Sequence, residues 1–105
     1  MKNSTKVTQY FEWDIEKAKK NLLKHKLDFS IAVEVFDDPS CFFELDTSID
    51  DEERYRAIGM IRDQMIILVV HAVKIVDDIE VIRLISARKA DKTEVKKYEN
   101  RYKYR

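Results

Sequence analysis

MIILVVHAVKIV, residues 65–76, is the stretch whose reading decides the fold. It is the most apolar element in a chain of 105 residues, and Ile and Val dominate it. β-Branched side chains pack well on a pleated, half-buried surface, so the run predicts a central strand from Met65 to Val76. Alternate residues of a strand share a face, which groups His71 with Ile67, Val69 and Val73. The continuous apolar part, Met65 to Val70, is far too short to span a membrane.

The neighbours of this strand read as its partners. Arg54 to Ile61 predicts a strand with Arg54, Arg56, Ile58 and Met60 on one face, joined to it by Arg62-Asp63-Gln64. Asp77-Asp78 makes the next turn, and Ile79 to Ala87 returns antiparallel. Further out, Cys41 to Leu45 is a short strand, and residues 46–53 form an acidic turn. Near the start, Tyr10 to Trp13 reads as a strand and Asp14 as the N-cap of a helix reaching about Lys26. Ala18, Leu22 and His25 fall on one stripe of that helix. Asp28 opens a second helix with Phe29, Ala32, Val33 and Phe36 at core spacing, and Asp37-Asp38-Pro39 ends it. Asp91 and Glu94 form a capping box for a last helix. Val95, Tyr98 and Tyr102 make its stripe, with Lys96, Lys97, Arg101 and Lys103 around them. Residues 1–8 are a loose polar leader. The expected whole is one α+β domain spanning 1–105: a strand, two helices, an antiparallel meander of three or four strands, and a helix closing an edge or end of the sheet.

Composition narrows the class. Apolar residues are 45% and charged residues 38%, with one Gly and one Pro, so the chain is globular rather than low-complexity. The one cysteine, Cys41, lies beside Phe42 and Phe43 and reads as a small buried hydrophobe. That usage fits a reduced, cytoplasmic setting. Two distant His and one Cys give no zinc-ligand spacing, and the sole Gly59 gives no glycine-rich phosphate loop. No cofactor is expected. The net charge of zero hides segregation: residues 1–26 balance at +4, residues 27–53 at −10 with no Lys or Arg, and residues 54–105 at +6. A basic face attracts polyanions even on a neutral chain.

Arg83 to Ala90, followed by Glu94 and Tyr98, carries the chemistry. Cations and proton-transfer groups gather where a strand turns into a helix, which suits the handling of a phosphate. Cleavage of a phosphodiester without a metal needs a base for the attacking hydroxyl, positive charge on the phosphate and an acid for the leaving oxygen. Arg stays charged at any working pH and offers planar donors, so Arg54, Arg83 and Arg88 are the phosphate candidates. His71, Glu94 and Tyr98 are the proton-transfer candidates. Each has a structural reading beside the catalytic one. Glu94 can serve only its capping box, Tyr98 can pack the helix on the sheet, and His71 can be a hydrogen-bonded core residue. Arg83, on the face of Val81 and Ile85, needs a partner if that face is covered. Arg88 has no obvious packing role.

Five ordered motifs carry a resemblance: FEWD at Phe11–Asp14, NLLKH at Asn21–His25, FDDP at Phe36–Pro39, EERYRAIG at Glu52–Gly59 and RLISARKA at Arg83–Ala90. Together they resemble the BrnT family of type II toxin–antitoxin toxins over roughly residues 10–100. The chain departs from that pattern at Ile15, where members usually have Pro, and at Lys26, where they usually have Gly. The resemblance implies a RelE-like fold and an endoribonuclease that stops translation. It also implies a BrnA-like antitoxin partner in a hetero-oligomer that touches DNA only through the antitoxin. The site it points to joins Arg54, His71, Arg83, Arg88, Glu94 and Tyr98 for catalysis with Lys89, Lys96, Lys97 and Arg101 for RNA. An antitoxin segment would lie on the basic surface of the last strand and helix, or a basic segment would dock on the acidic block 27–53. The competing reading is a non-catalytic module that uses the same basic face to bind protein or nucleic acid.

Overall fold

In a computed structural model, residues 8–46 and 52–103 are described, and they form a mixed α+β fold. The elements are β1 (Gln9–Trp13), α1 (Ile15–His25), α2 (Phe29–Ala32) continued by a 3-10 turn (Val33–Asp37), β2 (Phe42–Leu45), β3 (Tyr55–Ile61), β4 (Met65–Val76), β5 (Ile79–Lys89) and α3 (Lys92–Lys103). The strands make one sheet in the order β1-β5-β4-β3-β2, so the Ile/Val-rich β4 is central. β2 to β5 are antiparallel neighbours, while β1 adds to β5 in parallel. The expected antiparallel meander is formed by β2 to β5, and the parallel addition of β1 makes the whole a five-stranded mixed sheet. The leader 1–7 and the middle of the acidic turn, 47–51, lie outside the described residues.

Local signals set the connections. Asp14 Oδ1 accepts from the Lys17 amide at 3.0 Å and starts α1, and Asp28 Oδ1 accepts from Ser30 N at 2.8 Å and starts α2. Lys26, at φ 59°, takes the left-handed position after α1 that glycine usually fills. The β3–β4 and β4–β5 hairpins turn on residue pairs with positive φ, Arg62-Asp63 (53° and 55°) and Asp77-Asp78 (51° and 65°). That geometry matches the right-handed twist of the strands it joins.

The core lies on the first face of the sheet. Phe29, Ala32 and Val35 pack there on Ala57, Ile61, Ile67, Val69, Leu84 and Ala87. Gly59 lets the 3-10 turn approach: a Cβ there would stand 2.9 Å from Val35 Cγ2 and 3.1 Å from Asp38 Oδ2. α1 buries the Ala18, Leu22, His25 stripe only in part: Ala18 packs on the core and His25 is half-buried, but Leu22 is exposed and Asn21 is the buried residue. β1 ends opposite Leu84, so the edge of β5 beyond it needs other partners. Asn21 supplies them: its Nδ2 donates to the Ala87 carbonyl at 2.8 Å, and its Oδ1 accepts from the Ala87 amide at 3.0 Å. A polar side chain thus does the work of a missing strand. The second helix tightens after Ala32, which buries Val35 fully and leaves Phe36 only half-buried.

α3 does not close an edge of the sheet. It lies across the second face, where Tyr98 packs on Ile58 and Leu68. It covers only part of that face and leaves the rest open.

Candidate nucleic-acid interface

A β-bulge builds the site. Val70 of β4 faces Ser86 of β5, but the next residue, His71, faces Leu84, so Ile85 is extra. Arg83 and Arg88 are five residues apart, which in a regular strand puts them on opposite faces. The bulge switches the alternation, so Arg83 (opposite Ala72) and Arg88 (opposite Leu68) both project from the second face. Arg56 faces Val70 on that same face. Arg54 shares the alternation of Arg56. Four guanidinium groups thus lie along three successive rows of the ladder, each row about 7 Å from the next. That spacing is on the scale of one nucleotide of an extended strand.

Every one of these arginines meets a carboxylate. Glu52 bridges Arg83 and Arg54, and the Arg54 contact is long at 3.6 Å. Arg56 Nη2 donates to Glu44 Oε1 at 3.1 Å, with Asp46 at 4.0 Å. Arg88 holds Glu94 in a fork, Nη1 to Oε1 and Nη2 to Oε2, both at 2.9 Å. The Glu52 carboxyl is held below the usual range by its hydrogen bond from Arg83, and the Glu94 carboxyl by its bonds from Arg88. Both are therefore ionised at neutral pH. The Arg56 Nε–H is buried without a hydrogen-bond acceptor, and the buried Arg54 Nε has only the long 3.6 Å contact with Glu52. A buried donor without a partner costs free energy, and a phosphate oxygen would satisfy it once the side chain turns outward. Beside Arg83 a cleft of about 300 Å³ opens, lined by Glu12, Glu52, Ala72, Lys74 and Val81 among others.

The other expected residues divide. Glu94 reaches the arginine row and also closes the capping box: its Oε1 accepts from Asp91 N at 2.8 Å, and Glu94 N donates to Asp91 Oδ1 at 2.9 Å. Tyr98 is buried under α3, and its hydroxyl donates to Asp38 Oδ2 at 2.7 Å. Asp38 also accepts from the Met60 amide at 2.7 Å, where β2 has ended, so Tyr98 belongs to a structural lock. His71 is not with the arginines. It lies on the first face, 2% exposed, with Nδ1 3.2 Å from the Val69 carbonyl and rings of Phe36, Phe43 and Tyr55 around it. Burial pushes its pKa down, so the imidazole is neutral near pH 7.

Among the RNA-binding candidates, Lys89 faces Ile67 on the alternation of the first face. Lys97 is engaged with Glu44 at 3.1 Å, and the Arg101 guanidinium sits 5.4 Å from the centre of the Phe42 ring. Lys96 is exposed. Cys41 is inert as a nucleophile, since burial and then the Asp38 charge push its thiol up to about 12. Arg56, Glu44 and Glu52 join the site although sequence reasoning did not place them there. The signal for Arg56 was present, because it shares the strand face of Arg54. Among the described residues no group of His, Cys, Asp and Glu has the arrangement of a metal site. None of their helices is long and apolar enough to cross a membrane.

The family model described as the ribonuclease toxin BrnT of type II toxin–antitoxin systems matches residues 13–94. That span runs from Trp13 at the end of β1 to Glu94 in α3. The crystal structure of the Brucella abortus ribonuclease toxin BrnT is similar, with a TM-score of 0.57 and 29% identity. The match covers 81% of this chain and 99% of that one. No curated protein matches the chain significantly. A family match over most of the chain, with a fold that presents arginines on an open sheet face, places it: the chain belongs to the BrnT family of ribonuclease toxins of type II toxin–antitoxin systems.

Proposed function

We propose that this chain is a metal-independent endoribonuclease of RelE-like fold that cleaves cellular RNA on the second sheet face. Loss of that RNA stops translation in the cytoplasm. The observation that carries the reading is the arginine row itself: four guanidinium groups on one face, with the Arg56 Nε–H buried without an acceptor and the Arg54 Nε held only by a 3.6 Å contact. Arg54, Arg56 and Arg83 grip the phosphates, and Arg88 faces the scissile one. The 2′-oxygen attacks phosphorus, the bond to the 5′-oxygen breaks, and a 2′,3′-cyclic phosphate and a 5′-hydroxyl result. Charge accumulates on the phosphoryl oxygens during attack, and preformed cationic donors lower the barrier there. Glu94 is ionised and moves to the 2′-hydroxyl proton when Arg88 turns toward phosphate, while solvent protonates the 5′-oxygen. His71 lies on the other face and the Tyr98 hydroxyl is committed to Asp38, so neither receives a proton-transfer step here. Lys96 extends the basic margin for flanking nucleotides, while Lys89 belongs to the other face.

A BrnA-like antitoxin holds the toxin in an inactive hetero-oligomer, and contact with DNA runs through the antitoxin. One observation favours the non-catalytic binding reading: each arginine already has a carboxylate, so the face is nearly neutral. Cleavage decides between the two. Incubation of a labelled RNA with the purified chain in EDTA should yield fragments ending in cyclic phosphate. Arg88→Ala should abolish them while the variant stays folded at the assay temperature. RNA that is bound and left whole, or cut only when a metal is added, would overturn the proposal.

A further inference from the structure

The first face has an open half that the nuclease reading does not use. α1, α2 and the 3-10 turn cover the upper strands, and beyond them the alternation exposes Phe43, Leu45, Val73 and Ile75 on one side (55%, 60%, 39% and 63% exposed). Between them lies a cavity of about 330 Å³ lined by Phe36, Phe43, Tyr55, His71, Val73, Ile82, Gln9 and Glu80. The rings are organised. His71 meets Phe36 edge-on at 5.0 Å and Phe43 at 5.8 Å, and Tyr55 closes the third side at 6.1 Å. Among the described lining residues Glu80 brings the one carboxylate, with Oε1 accepting from Gln9 Nε2 at 2.6 Å.

Aromatic walls with a carboxylate at the rim select a cation on an apolar stem. The surroundings favour the same sign. Among the described lining residues there is no Lys or Arg, and Glu80 is negative. His71 is neutral and does not repel a cation. A phosphate-bearing ligand is disfavoured at Glu80, and the arginines that would greet it project from the opposite face.

We propose that this cavity receives an arginine side chain of the antitoxin, whose flanking aliphatic residues cover Val73, Ile75 and Leu45. Only the identity of the partner rests on the toxin–antitoxin reading; the cation specificity rests on the cavity. The partner is thus anchored on the face opposite the RNA site, and a second stretch of it must cross an edge of the sheet to block cleavage.

The test uses a probe first. Titration of the isotopically labelled chain with N-acetyl-arginine amide should move the His71 and Tyr55 ring signals saturably, and N-acetyl-leucine amide should not. Glu80→Gln should weaken that binding at least fivefold. Calorimetry with the purified cognate antitoxin should then show at least a tenfold weaker complex for Phe43→Ala, an exposed position that spares the core. RNA cleavage by the free variant should be unchanged, which keeps this test separate from the nuclease proposal. Equal response to the two amides, or no saturable response, would overturn the cation site. Unchanged antitoxin affinity in Phe43→Ala would overturn the docking, and so would loss in that variant of a cleavage activity that the unaltered chain shows.

Discussion

Glu94→Gln separates the two tasks of that carboxylate. The substitution keeps the length of the side chain and one acceptor oxygen. It replaces the other oxygen with an NH₂ group that faces Arg88 donor to donor. One of the two 2.9 Å bonds of the fork is lost, while the remaining oxygen keeps its bonds from Arg88 Nη1 and Asp91 N. A hydrogen bond to a charged group contributes about 1.5–3 kcal/mol in a sheltered site. The Arg88 side chain is 37% exposed, so solvent screening brings the expected loss to about 1 kcal/mol. For a domain of this size that corresponds to a fall of about 4–8 °C in Tm. The pH dependence has a definite sign. Arg88 holds the folded-state pKa of Glu94 below its unfolded value, so the wild-type advantage is complete above the usual carboxylate range. It disappears as pH falls through the lowered folded value. Differential scanning calorimetry of both proteins at neutral and acid pH measures this gap. Equal stability at neutral pH, or a gap that persists in acid, would refute the pairing. Cleavage by the variant should fall less than in Arg88→Ala if positioning Arg88 is the larger part of its role.

Gly59→Ala should cost about 1–3 kcal/mol, because its Cβ meets Val35 and the Cys41 Cβ with no room to shift; urea midpoints measure it. Asn21→Leu should cost about 2–4 kcal/mol by leaving the Ala87 amide and carbonyl unsatisfied at the sheet edge, with increased hydrogen exchange at Ala87. Tyr98→Phe should lose about 1 kcal/mol of stability in urea and keep the cleavage rate per folded molecule, because its hydroxyl serves Asp38.

Periodicity and capping made most of the fold legible. Met65–Val76 as the central strand, the Asp14 and Asp28 caps, the turn at Asp77-Asp78 and the Asp91–Glu94 box are all where hydrophobic alternation and side-chain acceptors put them. Long-range pairing was less visible. Nothing in Gln9–Trp13 says that it joins Ile79–Lys89 in parallel, because strand partners are chosen by tertiary packing. Asn21 was hidden for a similar reason, since its value depends on an edge of β5 that only the assembled sheet exposes. The site was half legible. Arg54 and Arg56 share a face by simple alternation. Arg83 and Arg88 do not, and counting by twos separates them. Only the extra residue Ile85 restores them to one face, and a bulge has no reliable mark in a run such as RLISARKA. His71 failed to join for the opposite reason. It obeys the alternation of β4 strictly, and so stays with Ile67 and Val69 on the first face.

The arginine row is tested most directly by the salt dependence of RNA binding. A non-cleavable RNA with 2′-O-methyl sugars isolates binding from chemistry. Removing one cation that neutralises a phosphate lowers the slope of log K against log salt by about 0.7 for a single strand. Arg83→Ala and Arg88→Ala should each lower the slope by about that amount, and the double variant by about twice as much. Lys19→Ala, on the exposed side of α1, should leave it unchanged. Slopes unaltered in the arginine variants, or lowered equally by Lys19→Ala, would contradict the placement of RNA on the second face.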